Sequence, residues 1–146
     1  MQNQSPSLFS VISTDYPSFL SALFPIVFGG FSVYFFFSGN DAFQLFLLLT
    51  IGVIVIGVPV LFSRYRTISS VFADGVQTQG VVTRIGFFRG RGSVEYTYTF
   101  QGEKQTGSNA ITKNSRTRNL RIGQAVKVVV DRNDSKRAFI WEIYLQ

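Results

Sequence analysis

The segment of this chain richest in chemistry is Gly86-Phe87-Phe88-Arg89-Gly90-Arg91-Gly92. Two guanidiniums on a glycine-rich connection can grip phosphate oxygens, and the two phenylalanines beside them can stack on bases or enter a membrane interface. The spacing fits neither GxxxxGK[ST] nor GxGxxG, and no helical pattern follows whose N-terminus would complete a nucleotide cradle. The plainer reading of the same residues is a hairpin loop carrying solvated charge. Other cations fall in two further loops, with Lys113, Arg116, Arg118 and Arg121 before one strand and Arg132, Lys136 and Arg137 in a turn. Arg64 and Arg66 stand at the end of an apolar run. With Phe87 and Phe88, these cations are the candidate contacts to a membrane surface or a partner.

Catalysis has little to draw on. Cysteine and histidine are absent, which excludes disulfides, thiolate nucleophiles, Cys/His metal sites and histidine triads. The C-terminal half holds six carboxylates, Asp74, Glu95, Glu103, Asp131, Asp134 and Glu142, and most fall at turns or on solvent-facing strand positions. Asp131 and Asp134 flank Asn133 without the spacing of a calcium loop, so an Asx-type turn is the better reading. No catalytic residue, metal ligand or cofactor is expected, and the chain reads as a non-enzyme.

The elements that must position these residues divide sharply by composition. Residues 1–63 carry Asp15 and Asp41 and no Lys or Arg, a net charge of −2, while residues 64–146 carry all 14 basic residues and a net charge of +8. Within the first half, residues 19–37 and 43–62 are uncharged runs of 19 and 20 residues, each close to the roughly 20 needed to cross a bilayer. Ser38-Gly39-Asn40-Asp41-Ala42 between them is a turn-forming linker. A two-helix transmembrane hairpin follows, because about 80 residues of polar chain cannot cover two helices that are apolar all round. No ionisable residue lies inside either run, so an ion or proton path has nothing to carry it. The positive-inside rule, applied to Arg64 and Arg66 against the acidic loop at Asp41, places both termini in the cytoplasm. The N-terminal segment, residues 1–18, is mildly amphipathic and reads either as interfacial or as frayed.

Residues 63–75 form a juxtamembrane linker whose apolar Ile68, Val71 and Phe72 have helical spacing. From there the period becomes two. Val94, Tyr96, Tyr98 and Phe100 alternate with Glu95, Thr97 and Thr99, which marks a half-buried strand with the tyrosines in the core. Strands are expected at 79–85, around 94–100, and at 104–112, 124–131 and 138–145, with residues 86–92 as a connection and Gln101-Gly102-Glu103 as a tight turn. Five strands in residues 76–146 make a basic cytoplasmic domain, a small antiparallel β barrel or curled sheet, and the fold class is membrane α + β.

Gly80-Val81-Val82, Val94-Glu95-Tyr96-Thr97-Tyr98, Gly102-Glu103-Lys104, Ile122-Gly123-Gln124-Ala125-Val126-Lys127-Val128 and Asp131-Arg132-Asn133 resemble the uncharacterised family catalogued as domain of unknown function 3592. The resemblance spans roughly residues 20–140 and implies membrane helices joined to a compact β domain. The family's Asp-Pro-x-Asn-Pro type turn lacks both prolines here, and the family supplies no catalytic residue to carry over. The combined expectation is a non-enzymatic integral membrane protein of a bacterial plasma membrane or an internal membrane such as a thylakoid. Its anchored β domain binds a partner protein, anionic headgroups or the membrane surface, as a small accessory or assembly subunit of a membrane complex. A membrane-tethered nucleic-acid-binding module is the alternative.

Overall fold

Polar caps start the first two helices, and the computed structural model describes them within residues 5–145. Ser7 accepts the backbone N–H of Ser10 and opens α1, Leu8–Thr14. Asp15 accepts the N–H of Ser18 and opens α2, Tyr16–Phe37, with Pro17 in the first turn where its missing N–H costs nothing. Helix α2 begins three residues earlier than the apolar run because the cap lies at Asp15. Residues 1–4 of the N-terminal segment, and Gln146, lie outside the described residues.

A tight loop at Gly39 and Asn40 reverses the chain into α3, Ala42–Asp74. Helices α2 and α3 run antiparallel in one register. Phe35 packs at a tilt against Phe46 with ring centres 5.0 Å apart, the Ser32 and Thr50 hydroxyls meet at 3.0 Å, and the Ser21 carbonyl approaches Gly57. The outward faces are apolar and exposed over almost their whole length. Both helices are long and apolar enough to cross a membrane.

Helix α3 does not stop where its apolar run does. It continues unbroken to Asp74, and Ile68, Val71 and Phe72 are buried in the core of the second half of the chain. The strands there are β1 Val76–Phe88, β2 Arg91–Phe100, β3 Glu103–Thr112, β4 Ala125–Val130 and β5 Ala138–Ile140. All pair antiparallel in the order β3-β2-β1-β4-β5, which makes a nearly closed five-stranded sheet. Its open side is stitched by side chains, since Tyr96 Oη–H and Asn109 Nδ2–H both donate to the Ala138 carbonyl. Tyr96 and Tyr98 lie in the core with Val94, Val126, Val128 and Ile140.

Three expectations need correction. Residues 138–145 are not one strand. After three strand residues the chain turns into α4, Trp141–Leu145, whose Ile143 and Tyr144 cover the core beside Phe72 and Phe139. Residues 86–92 are not a loop, because strands β1 and β2 extend through them and only Arg89 and Gly90 turn. Of the two readings left open for the N-terminal segment, a frayed terminus does not hold for residues 8–14, which form α1. Helix α1 docks on the β domain through Ser10, Val11 and Thr14, with Val11 fully buried and the two hydroxyls donating to the carbonyls of Tyr144 and Ile143 in α4. Leu8 and Phe9 on its other face remain exposed.

Candidate functional site

Two structural units meet at Asp15. Its carboxylate is 1% exposed and accepts four hydrogen bonds, two from Ser18 and two from Arg64, whose Nη2 lies 2.6 Å from Oδ1. A carboxylate removed from water needs such compensation, and here it is complete. Asp15 also forms a backbone bridge to Ile111 of β3. Thr112 Oγ1–H and Asn114 Nδ2–H donate to the Ser13 carbonyl beside it, and Arg116 Nη1 donates to Ser10 Oγ at 2.7 Å. This junction fixes the β domain against one end of the helical hairpin. Among the thirteen contact residues expected from sequence, Arg64 and Arg116 are therefore tied into the junction. Asp15, which organises it, was visible only as an isolated charge; its position as a helix cap before Tyr16-Pro17 was the available signal.

The tip of the β1–β2 hairpin lies beside the same junction. Arg91 pairs with Thr112 across the strands, and the Lys113 N–H donates to the Gly90 carbonyl. Arg89 and Gly90 both have positive φ, 48° and 84°, the two-residue turn whose twist matches that of its strands. Gly92 is the other glycine the geometry requires, because a Cβ there would lie 2.5 Å from the Phe87 ring across the pair. Phe88 is 60% exposed, with the guanidinium carbons of Arg89 and Arg91 at 5.2 and 5.7 Å from its ring centre. Lys113 Nζ lies 5.8 Å from the Phe87 ring centre. Tyr16, the first residue of α2, joins Phe87, Phe88, Arg91 and Ser93 around a shallow depression of about 390 Å3.

The other cations are placed elsewhere. Arg66 lies over Phe62 on the exposed side of α3. Arg118 and Arg121 are exposed on the loop between β3 and β4. Arg132, Lys136 and Arg137 occupy the β4–β5 turn, next to the start of β1 and the far end of α3. Ten residues of helix separate Arg64 from Asp74, roughly 15 Å at 1.5 Å each. In that turn Asp131 and Asp134 each accept a backbone N–H two residues on, and Arg137 Nε sits 3.1 Å from Asp134. The Tyr98 hydroxyl donates to the Ser135 carbonyl and braces the turn from β2. Burial pushes the hydroxyls of Tyr96, Tyr98 and Tyr144 above the ordinary tyrosine value of 10.0. Among the described residues, no group of three or more carboxylates comes together as a metal site would require.

The thirteen residues thus form no single surface. Phe87, Phe88, Arg89, Arg91 and Lys113 are brought together beside the base of the helices, and Arg132, Lys136 and Arg137 lie at the opposite end of the domain. No protein-family model, curated protein or solved structure matches this chain. The residues quoted for the resemblance to domain of unknown function 3592 occupy β1, β2, the β2–β3 turn, the approach to β4 with its first half, and the β4–β5 turn.

Proposed function

We propose that this is a non-enzymatic integral membrane protein of the architecture seen in domain of unknown function 3592. Two antiparallel spans hold a basic β domain against the cytoplasmic face of a bacterial plasma membrane or an internal membrane such as a thylakoid, with both termini on that face. The supporting observation is the placement of charge along the hairpin. From the Asp15–Arg64 pair to Asp41 at the far loop neither helix carries a charged side chain. The 22 residues of α2 span about 33 Å at 1.5 Å per residue, close to the roughly 30 Å of a hydrocarbon core.

In this arrangement the domain is a contact module. The Arg132, Lys136 and Arg137 turn faces away from the bilayer, where a cytoplasmic protein with an acidic surface can reach it. The anchor raises the local concentration of such a weak contact, as suits an accessory or assembly subunit of a membrane complex.

Because the chain has no cysteine, single-cysteine variants report topology without background. Asn40→Cys is expected to react with a membrane-impermeant maleimide from the outer side, and Asn133→Cys only after the membrane is opened. The opposite pattern overturns the orientation. Release of the protein by alkaline carbonate overturns the spans. Purification in mild detergent should bring a membrane-protein partner at fixed ratio, lost in the Arg132→Ala, Lys136→Ala, Arg137→Ala variant.

A further inference from the structure

From the hairpin tip, and resting on the two-span reading, we infer that Phe88, Arg89, Arg91 and Lys113 form a seat for the headgroup of an anionic phospholipid of the bilayer that holds the helices. Four observations carry this.

The first is level. Tyr16, next to the Asp15 that marks the end of the uncharged zone, lines the same depression as Phe88 and Arg91. Phosphate groups of a surrounding bilayer lie at that height, so the tip meets headgroups rather than bulk water. The second is uncompensated charge. Among the described residues, no carboxylate lies within salt-bridge distance of Arg89, Arg91 or Lys113, whereas Arg64, Arg84 and Arg137 each have one. The third is the exposed aromatic ring between the two guanidiniums. Phe88 can enter the interface while the arginines stay with the phosphates, the division of labour expected of an amphipathic surface contact. The fourth is preorganisation. A two-residue turn with both φ values positive, closed by the Lys113 N–H on the Gly90 carbonyl, fixes the backbone from which the cations project, so only their side chains need ordering on binding.

Single-stranded nucleic acid could also use arginines and phenylalanine. The lipid is favoured because the tip lies at the base of the hairpin, and because Tyr96 and Tyr98, which a nucleic-acid platform would need on the surface, are in the core.

The test uses the full-length protein in a mild non-ionic detergent, titrated with dioctanoyl phosphatidylglycerol or dioctanoyl phosphatidylcholine, with bound lipid counted by native mass spectrometry. The wild type is expected to retain phosphatidylglycerol at least about tenfold more tightly than phosphatidylcholine. Each cation removed should weaken it about fivefold, and Arg89→Ala, Arg91→Ala, Lys113→Ala together on the order of a hundredfold. Arg89→Lys with Arg91→Lys should keep most of the preference, and Phe88→Ala should weaken both lipids alike. An unchanged thermal midpoint in the triple variant shows that the loss is not misfolding, which is expected because all three side chains are exposed. Equal retention of the two lipids, or a triple variant that binds like wild type, overturns the site while leaving the spans intact. So does a single-stranded oligonucleotide that binds the same three cations in preference to phosphatidylglycerol. A protein that remains soluble and monomeric without detergent sinks the two-span reading instead.

Discussion

Strand β2 is closed at its two ends by turns of the same backbone and different chemistry. Arg89-Gly90 has φ values of 48° and 84°, and Gln101-Gly102 has 53° and 84°. The second turn is flanked by Glu103 and Lys104, opposite charges on neighbouring residues, and it lies far from the helical hairpin. The first carries two cations around an exposed phenylalanine, with a third cation alongside, at the base of the hairpin. The distal basic turn differs in part, since Asp134 pairs with its Arg137 while, among the described residues, no carboxylate lies within salt-bridge distance of Arg132 or Lys136. Turn geometry here is a property of the fold. The proposed lipid seat rests on cations that the fold leaves unpaired, and on where it leaves them.

The largest effect on this contrast should come from Asp15→Ala. It strips the α2 cap and leaves Arg64 half-buried beside an apolar helix pair, at a cost of about 3 kcal/mol in the unfolding of the detergent-solubilised protein. Proteolysis should then release α1 and expose the hairpin tip before it cuts the distal turn. Asp15→Asn keeps the cap and should lose less.

Alkaline pH should act next, through Tyr98 at the distal turn and through Tyr144 beside the Asp15–Arg64 pair. With their hydroxyls held above the ordinary value of 10.0 by burial, Tyr96, Tyr98 and Tyr144 keep their protons in the folded protein when the unfolded chain gives them up. Their contribution to stability is complete below pH 10 and falls as pH rises above it, by about 3 kcal/mol near pH 11 for the two deeply buried hydroxyls. The open side of the sheet stitched by Tyr96, the turn braced by Tyr98 and the packing of α4 at Tyr144 should loosen, as read by amide exchange, while the hairpin tip, whose hydrogen bonds include no tyrosine, holds.

Gly90→Val and Gly102→Val test the two turns directly. Both place a β-branched residue at positive φ and should cost about 1–2 kcal/mol each. Only Gly90→Val should also change the retention of anionic lipid. Smallest of all, Arg137→Ala should shift stability by less than about 0.5 kcal/mol, since its ion pair is exposed to solvent and salt.

Sequence alone resolved what repeats locally. The apolar runs, the alternation through Val94, Tyr96, Tyr98 and Phe100, and the helical spacing of Ile68, Val71 and Phe72 each depend on neighbours a few residues away, and each lands on the element it describes. What escaped depends on partners far along the chain. Asp15 finds Arg64 49 residues later, and Ser10 finds Tyr144 134 residues later, distances at which periodicity carries no signal. The continuation of β1 and β2 through residues 86–92 was hidden by glycines that mimic a loop, although Gly92 is there to clear the ring of Phe87. The run Ala138-Phe139-Ile140-Trp141-Glu142-Ile143-Tyr144-Leu145 is apolar without clean alternation, and such short runs do not distinguish strand from helix. The candidate site was legible as residue types. Its division into a tip beside the helical hairpin and a distal turn required the strand register.

The docking of α1 sets an order of assembly. Its seat is built from β3 and from α4 at residues 141–145, which leave the ribosome on the order of ten seconds after α1 at about 5–20 residues per second. Helices α2 and α3 are complete long before then. Helix α1 must therefore wait while its seat is synthesised, and its docking joins Ser10 to a partner 134 residues further along the chain.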